Sequence, residues 1–127
     1  MIEFELRARD LERASRSDPS VLNREEMLGL MVDDIWSVRM HLCRMLPRVE
    51  WPPEQYEQVR DYAFEQSRCD NAFVRAWALD ALASFACRDA TIREAVLQMI
   101  SKALELGPAS VRVRAREGLR RLGAFGN

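Results

Sequence analysis

A chain of 127 residues with 48% apolar and 31% charged residues has the composition of one small globular domain, not of a disordered tail. Its net charge of -1 gives no whole-molecule pull toward nucleic acid or an anionic membrane. No apolar run approaches the ~20 residues that span a bilayer, and the N-terminal MIEFELRARD carries charge where a signal peptide has its apolar core, so the sequence predicts a cytoplasmic protein. All but one of the 19 basic residues are arginine, a bias that a GC-rich genome produces as readily as selection for carboxylate or phosphate clamps. Cys43, Cys69 and Cys87 are far apart and form no Cys-x-x-Cys pair, so neither a disulfide framework nor a zinc site is signalled.

In chain order, residues 1–32 form an imperfect copy of a unit that recurs later. Phe4, Ala8 and Leu11 share one face of a first helix, but Glu5 stands where later copies carry arginine, and Glu12 and Ser15 fall where the next copy has Leu46 and Val49. Terminal units of helical repeats are atypical because one side faces water. At Ser17-Asp18-Pro19 the chain breaks; Asp18 caps a second helix, Pro19 suits its first turn, and Met27, Leu30 and Met31 point inward as it runs to about Val32.

The second unit, residues 33–69, opens on Asp33-Asp34 as a cap and carries Val38, Leu42, Met45, Leu46 and Val49 on one face. Trp51-Pro52-Pro53 turns the chain, and a helix from Pro53 to about Arg68 buries Tyr56, Val59, Tyr62 and Ala63. In the third unit, residues 70–106, Asp70 caps a helix ending near Cys87, and Thr91 with Glu94 has the spacing of a capping box for the next. That helix buries Ile92, Val96, Met99, Ile100 and Ala103, and Gly107-Pro108 stops it. A final half unit, residues 107–127, is one helix from Ala109 to about Leu122.

These units share a register. Val38, Val74 and Val111 recur at spacings of 36 and 37 residues with Arg39, Arg75 and Arg112 beside them, and apolar or small residues return at fixed offsets after each valine. The columns are Leu42, Met45, Leu46 and Val49; Ala78, Ala81, Leu82 and Phe85; Ala115, Gly118, Leu119 and Leu122. A period in this range marks a helical solenoid, so the fold class is all-α, about seven helices in A-B pairs. The alanine and glycine columns let neighbouring helices approach closely.

Asp-Asp-Ile-Trp-Ser-Val-Arg, Asp-Asn-Ala-Phe-Val-Arg and Pro-Ala-Ser-Val-Arg, each leading into a helix, resemble the A helices of HEAT repeats. The resemblance covers Asp33 to Leu122 well and Met1 to Val32 loosely. It implies a short right-handed α-α superhelix of the armadillo-like kind, used mostly to bind other proteins and lacking a family-wide catalytic motif. It also implies an Asp-Arg ladder between repeats, which maps onto Asp33 or Asp34 with Arg39 and onto Asp70 with Arg75; Gly107 stands where the third aspartate belongs, leaving Arg112 without its local partner.

Nothing in the sequence signals catalysis. His41 is the only histidine, and His41 and Cys43, two apart on a helix, point about 200 degrees apart and cannot share a metal. There is no glycine-rich phosphate loop and no nucleophile beside a base, so no cofactor is implied and the chain reads as a non-enzyme. HEAT-like DNA glycosylases and bilin lyases are typically much longer, and Trp36-Ser37-Val38-Arg39 is too short a similarity to carry an excision site across; a relative of either is the remaining enzymatic alternative.

Three surfaces are candidates for function. The first is the B-helix face, where Phe64 lies about 140 degrees from Val59 and gains nothing from its own unit's core, with Leu28 as its counterpart one unit earlier. Glu25, Glu57, Asp61 and Glu94 surround this apolar spot and Gln98 lies near it, which suits a basic amphipathic protein or peptide segment. The bland alternative is a solvated acidic face with Phe64 tucked against the next helix. The second surface is the last helix, where Arg112, Arg116 and Arg120 form one row and Arg114 with Arg121 another; it is either a charged cap or a phosphate-binding nucleic-acid surface. The third is the C-terminal end, where a last A helix without a B partner predicts weak self-association or continuation onto a partner. Trp77, at the flank of the central helix, is predicted to pack between neighbouring A helices, with an exposed binding anchor as the alternative.

Overall fold

The computed structural model describes residues 2–125. Gly126 and Asn127, part of the tail invoked for self-association, lie outside the described residues. Seven α-helices account for most of the described chain: α1 Ile2–Ser15, α2 Arg24–Leu30, α3 Trp36–Met45, α4 Pro53–Gln66, α5 Ala72–Ala86, α6 Ala90–Leu106 and α7 Ala109–Phe125. Two 3₁₀ turns, Pro19–Val21 and Leu46–Arg48, follow α1 and α3. No strand occurs among the described residues, and no helix there is long and apolar enough to cross a membrane.

Helix ends follow from which side chain reaches the first free N–H groups, and here the sequence reading shifts by a residue or a turn. Asp18 caps the 3₁₀ turn that begins at Pro19, whereas α2 starts later, with Asn23 accepting from the Glu26 N–H. Asn71, not Asp70, caps α5 by accepting from the N–H groups of Phe73 and Val74. Asp89 caps α6 through the N–H of Thr91, in place of the box between Thr91 and Glu94. Asp33 accepts from the Ile35 N–H, so it orders the turn before α3 without capping the helix itself. Gly107, the residue after the end of α6, leaves no room for a side chain: a Cβ there would lie 2.5 Å from the Ala103 carbonyl oxygen.

Packing sorts the helices into two sets. α1 packs on α3, α3 on α5, and α5 on α7, so the odd-numbered helices form one continuous row. α2 leans on α3, α4 on α5, and α6 on both α5 and α7. Because α5 is met by four helices, it is apolar on nearly every side, with Val74, Ala76, Ala78, Leu79, Ala81, Leu82, Ala83, Phe85 and Ala86 all buried. Val38, Leu42, Met45 and Leu46 from α3 and its 3₁₀ turn, Val59 and Ala63 from α4, and Val111, Ala115 and Leu122 from α7 complete the core.

Two residues expected inside are not. Phe4 is 55% exposed and Leu119 is 45% exposed, because the buried edge of α7 runs through Val111, Ala115, Gly118 and Leu122 and turns Leu119 aside. Gly118 is where α7 comes closest to its neighbours: a Cβ there would lie 3.0 Å from the Ala83 Cβ and 3.3 Å from the Ile100 Cδ1. Gly118→Val is therefore expected to force α7 away from α5 and α6, costing about 1–3 kcal/mol and several degrees in thermal melting. A variant that melts with the wild type would show that this contact is slack.

Candidate functional site

α2, α4 and α6 each rest on the odd-numbered row and make no substantial contact with one another. This leaves a groove on either side of α4. The groove toward α2, of about 560 Å³, is lined by Met31 and Val32 and by Glu54, Glu57, Asp61 and Glu65. The groove toward α6, of about 740 Å³, has Phe64, Leu79, Met99, Ala103, Leu106 and Val111 for its apolar lining and Arg68, Arg75 and Lys102 as its only charged residues. The two grooves therefore carry opposite charge. The helical repeat explains this: the i, i+4 row Glu57–Asp61–Glu65 lies toward α2, while Phe64, on another row, and Arg68, just past the helix end, lie toward α6.

The B-face residues singled out in the sequence are thus divided. Glu57 and Asp61 share the acidic groove, and Phe64 and Gln98 share the other. Phe64 is half-buried against the core, as is Leu28, which lines neither groove. Glu25 lines a separate depression with Arg24, Glu50 and Gln55. Glu94 is exposed on α6 and accepts a 3.4 Å hydrogen bond from Gln98. At the start of both helices, α4 and α6 are joined by the Tyr56 hydroxyl, which donates to Asp89 Oδ2 at 2.5 Å. Desolvation and this hydrogen bond both push the Tyr56 phenol up, so it stays a donor.

The odd-numbered row holds a polar array that the sequence reading did not find. Glu12, in a core column, has a side chain only 1% exposed, and it is surrounded by cations. Arg16 meets both its carboxylate oxygens at 2.6 and 2.7 Å, Arg44 approaches at 3.2 Å, and Arg48 donates to the carboxylate at 3.0 Å, to the Glu12 main-chain oxygen at 2.9 Å and to Ser15 Oγ at 2.7 Å. Burial pushes the Glu12 carboxyl up, but the hydrogen bonds from Arg16 and Arg48 and the charge of Arg44 outweigh it and hold the group at about 2. The signal was present as a carboxylate in an apolar column near several arginines. Glu12 and Ser15, expected at a watery edge, are buried because α3 and its 3₁₀ turn supply the partners.

The array continues across α5. Trp77 lies between neighbouring helices, with the guanidinium carbon of Arg44 from α3 4.2 Å from its ring centroid and that of Arg114 from α7 at 4.7 Å. Asp80 then pairs with Arg114 at 3.7 Å and with Arg121 at 2.6 Å, and Arg121 also donates to Ser84 Oγ. Three of the five arginines on this candidate nucleic-acid surface are engaged, Arg114 and Arg121 with Asp80 and Arg120 with Glu117 at 2.5 Å, while Arg112 and Arg116 are exposed. The Asp-Arg ladder between repeats does not form as expected: Asp34 pairs with Arg39 inside one copy, and Arg75 reaches main-chain carbonyls and not the Asp70 carboxylate. Arg39 also donates to the Asp33 carbonyl, and the carbonyls that Arg75 reaches are those of Cys69 and Asp70.

His41 sits 3.8 Å from Glu12, and desolvation lowers its pKa against the pull of that carboxylate, so it is neutral at pH 7. Burial pushes the Cys43 thiol up, which leaves it without nucleophilic character. Among the described residues no group of three or more His, Cys, Asp and Glu side chains is placed to hold a metal. No family model matches the chain, and no curated protein or solved structure is significantly similar to it.

Two outcomes follow from the array. Because Glu12 is held below its ordinary 4.5, its contribution to stability is present above that pH and lost as pH falls toward about 2. The unfolding free-energy difference between wild type and Glu12→Gln, measured by urea titration, is expected to be largest near neutrality and to shrink across that acid window. A difference that stays constant would contradict the pairing. Trp77→Ala, which removes the ring shared by two guanidinium groups, is expected to lower the melting temperature by about 5 °C or more; unchanged melting would mean that the ring does not hold these helices together.

Proposed function

We propose that the chain is a short HEAT-like helical repeat, its helices coiling as a right-handed α-α superhelix, that acts as a non-enzymatic interaction scaffold and takes a protein or peptide on the face formed by α2, α4 and α6. The observation that carries this reading is the separation of those three helices. A domain that needed its helices only for stability gains from closing such gaps, since each buried apolar side chain contributes about 1.5–3 kcal/mol. Here α4 stands between two open grooves, with Val32 and Leu106 left exposed at their margins. Grooves between helices, apolar below and charged at the rim, are what amphipathic segments dock into. The polar array on the odd-numbered row serves the opposite end: its charges are matched within the chain, which leaves little to offer a partner.

A photo-crosslinking residue tests this directly. Placed at Gln58 or Gln98 on the grooved face, it is expected to capture discrete partners in extract of the source cells, and placed at the exposed Arg13 on α1 it is expected to capture none of them. Equal yields from both faces, or adducts from Arg13 alone, would overturn the proposal.

A further inference from the structure

Resting on the reading of this face as a docking surface, we infer that the groove between α4 and α6 receives an acidic amphipathic segment, its apolar side chains on the floor and its carboxylates against Arg68, Arg75 and Lys102. The floor is apolar and graded: Leu79 and Val111 are buried at its base, Phe64, Met99 and Ala103 are half-buried along its walls, and Leu106 is 71% exposed at its margin. Every charged side chain lining the groove is basic. Arg75 donates to the carbonyl oxygens of Cys69 and Asp70, which fix the guanidinium without cancelling its charge. The side chains of Arg68 and Lys102, both exposed, make no hydrogen bond or ion pair among the described residues. Three cations around an apolar trough attract a carboxylate-bearing segment and repel a basic one, so the charge selects the sign of the partner while the floor supplies the contact area.

The lining follows one face of α6 from Ala95 through Met99 and Lys102 to Leu106, roughly 16 Å of helix, against Phe64, Ser67 and Arg68 at the end of α4, which makes it a trough for a chain segment and not a pocket for a compact ligand. An amphipathic helix presents its apolar residues at i, i+3, i+4 and i+7, and acids on the two flanking positions would meet the rim. The expectation drawn from sequence, a basic segment anchored on Phe64, is thereby reversed for this groove. Phe64 belongs to the basic trough, and the acids meant to steer toward it, Glu57 and Asp61, lie across α4.

The test is selection of a random-peptide display library on the intact chain, beside an Arg68→Glu/Lys102→Glu variant and an Asp61→Lys variant, each first shown by thermal melting to fold. Enriched peptides are expected to pair apolar anchors at helical spacing with acidic flanks. Their recovery should fall about tenfold or more on the double variant, weaken with added salt, and stay unchanged on Asp61→Lys. Enrichment of basic peptides that Asp61→Lys abolishes would overturn the inference while leaving the docking-face reading intact. Failure to enrich any class would also overturn it, the docking face then standing or falling on crosslinking alone. Concentration-dependent self-association in light scattering, lost in the double variant, would replace the acidic segment by a second copy of the chain.

Discussion

The carboxylate of Glu12 has almost no water, and an anion in that position holds only if cations are brought to it. Arg16 comes from the turn just after Glu12's own helix, but Arg44 and Arg48 come from α3 and the 3₁₀ turn that follows, so satisfying one charge fixes how α1 lies on its neighbour. Replacing a whole buried ion cluster by apolar residues is often neutral for stability, whereas removing one member leaves charges stranded. The cluster therefore constrains arrangement more than it adds stability. It admits only the register of α1 and α3 that puts Glu12 among its arginines.

That constraint passes along the row. Arg44, held at Glu12, lies against the ring of Trp77; Arg114 meets the same ring from α7; and Asp80, one turn along α5 from that ring, gathers Arg114 and Arg121. Successive odd-numbered helices are joined by charge and aromatic contact above a core of alanine, leucine and valine. No comparable array joins α2, α4 and α6, which touch the row and, apart from the Tyr56–Asp89 bond, make no substantial contact with one another. The two sets of helices thus differ in kind: one is closed by internally matched charge, and the other carries charge of opposite sign on the two sides of α4, of which Asp61 is paired with Arg60.

Much of the architecture was legible in the chain because periodicity reports burial. The columns built on Val38, Val74 and Val111 mark helices that the structure places side by side, and Pro53 and Gly107-Pro108 locate helix ends to within a residue. What failed locally was chemistry shared by adjacent residues: Asp70 and Asn71 are both good caps, and only the backbone conformation at Asn71 decides between them. Glu12 was misplaced for a deeper reason. A lone acid in an apolar column looks like an edge, and its burial depends on arginines more than one turn of chain away. The grooves were half legible. The exposed residues of α4 were assigned to the right helix, but which neighbour each row faces depends on how α4 lies between α2 and α6, and no spacing along one helix encodes that.

The bond between Tyr56 and Asp89 closes one end of the space between α4 and α6. It ties the first turn of α4 to the residue that caps α6, while the lining residues Phe64, Arg68, Met99 and Leu106 lie toward the other ends of the two helices. Asp89 therefore has two tasks at once: one carboxylate oxygen takes the Thr91 N–H that starts α6, and the other takes the Tyr56 hydroxyl that sets the distance between the two helices at that end.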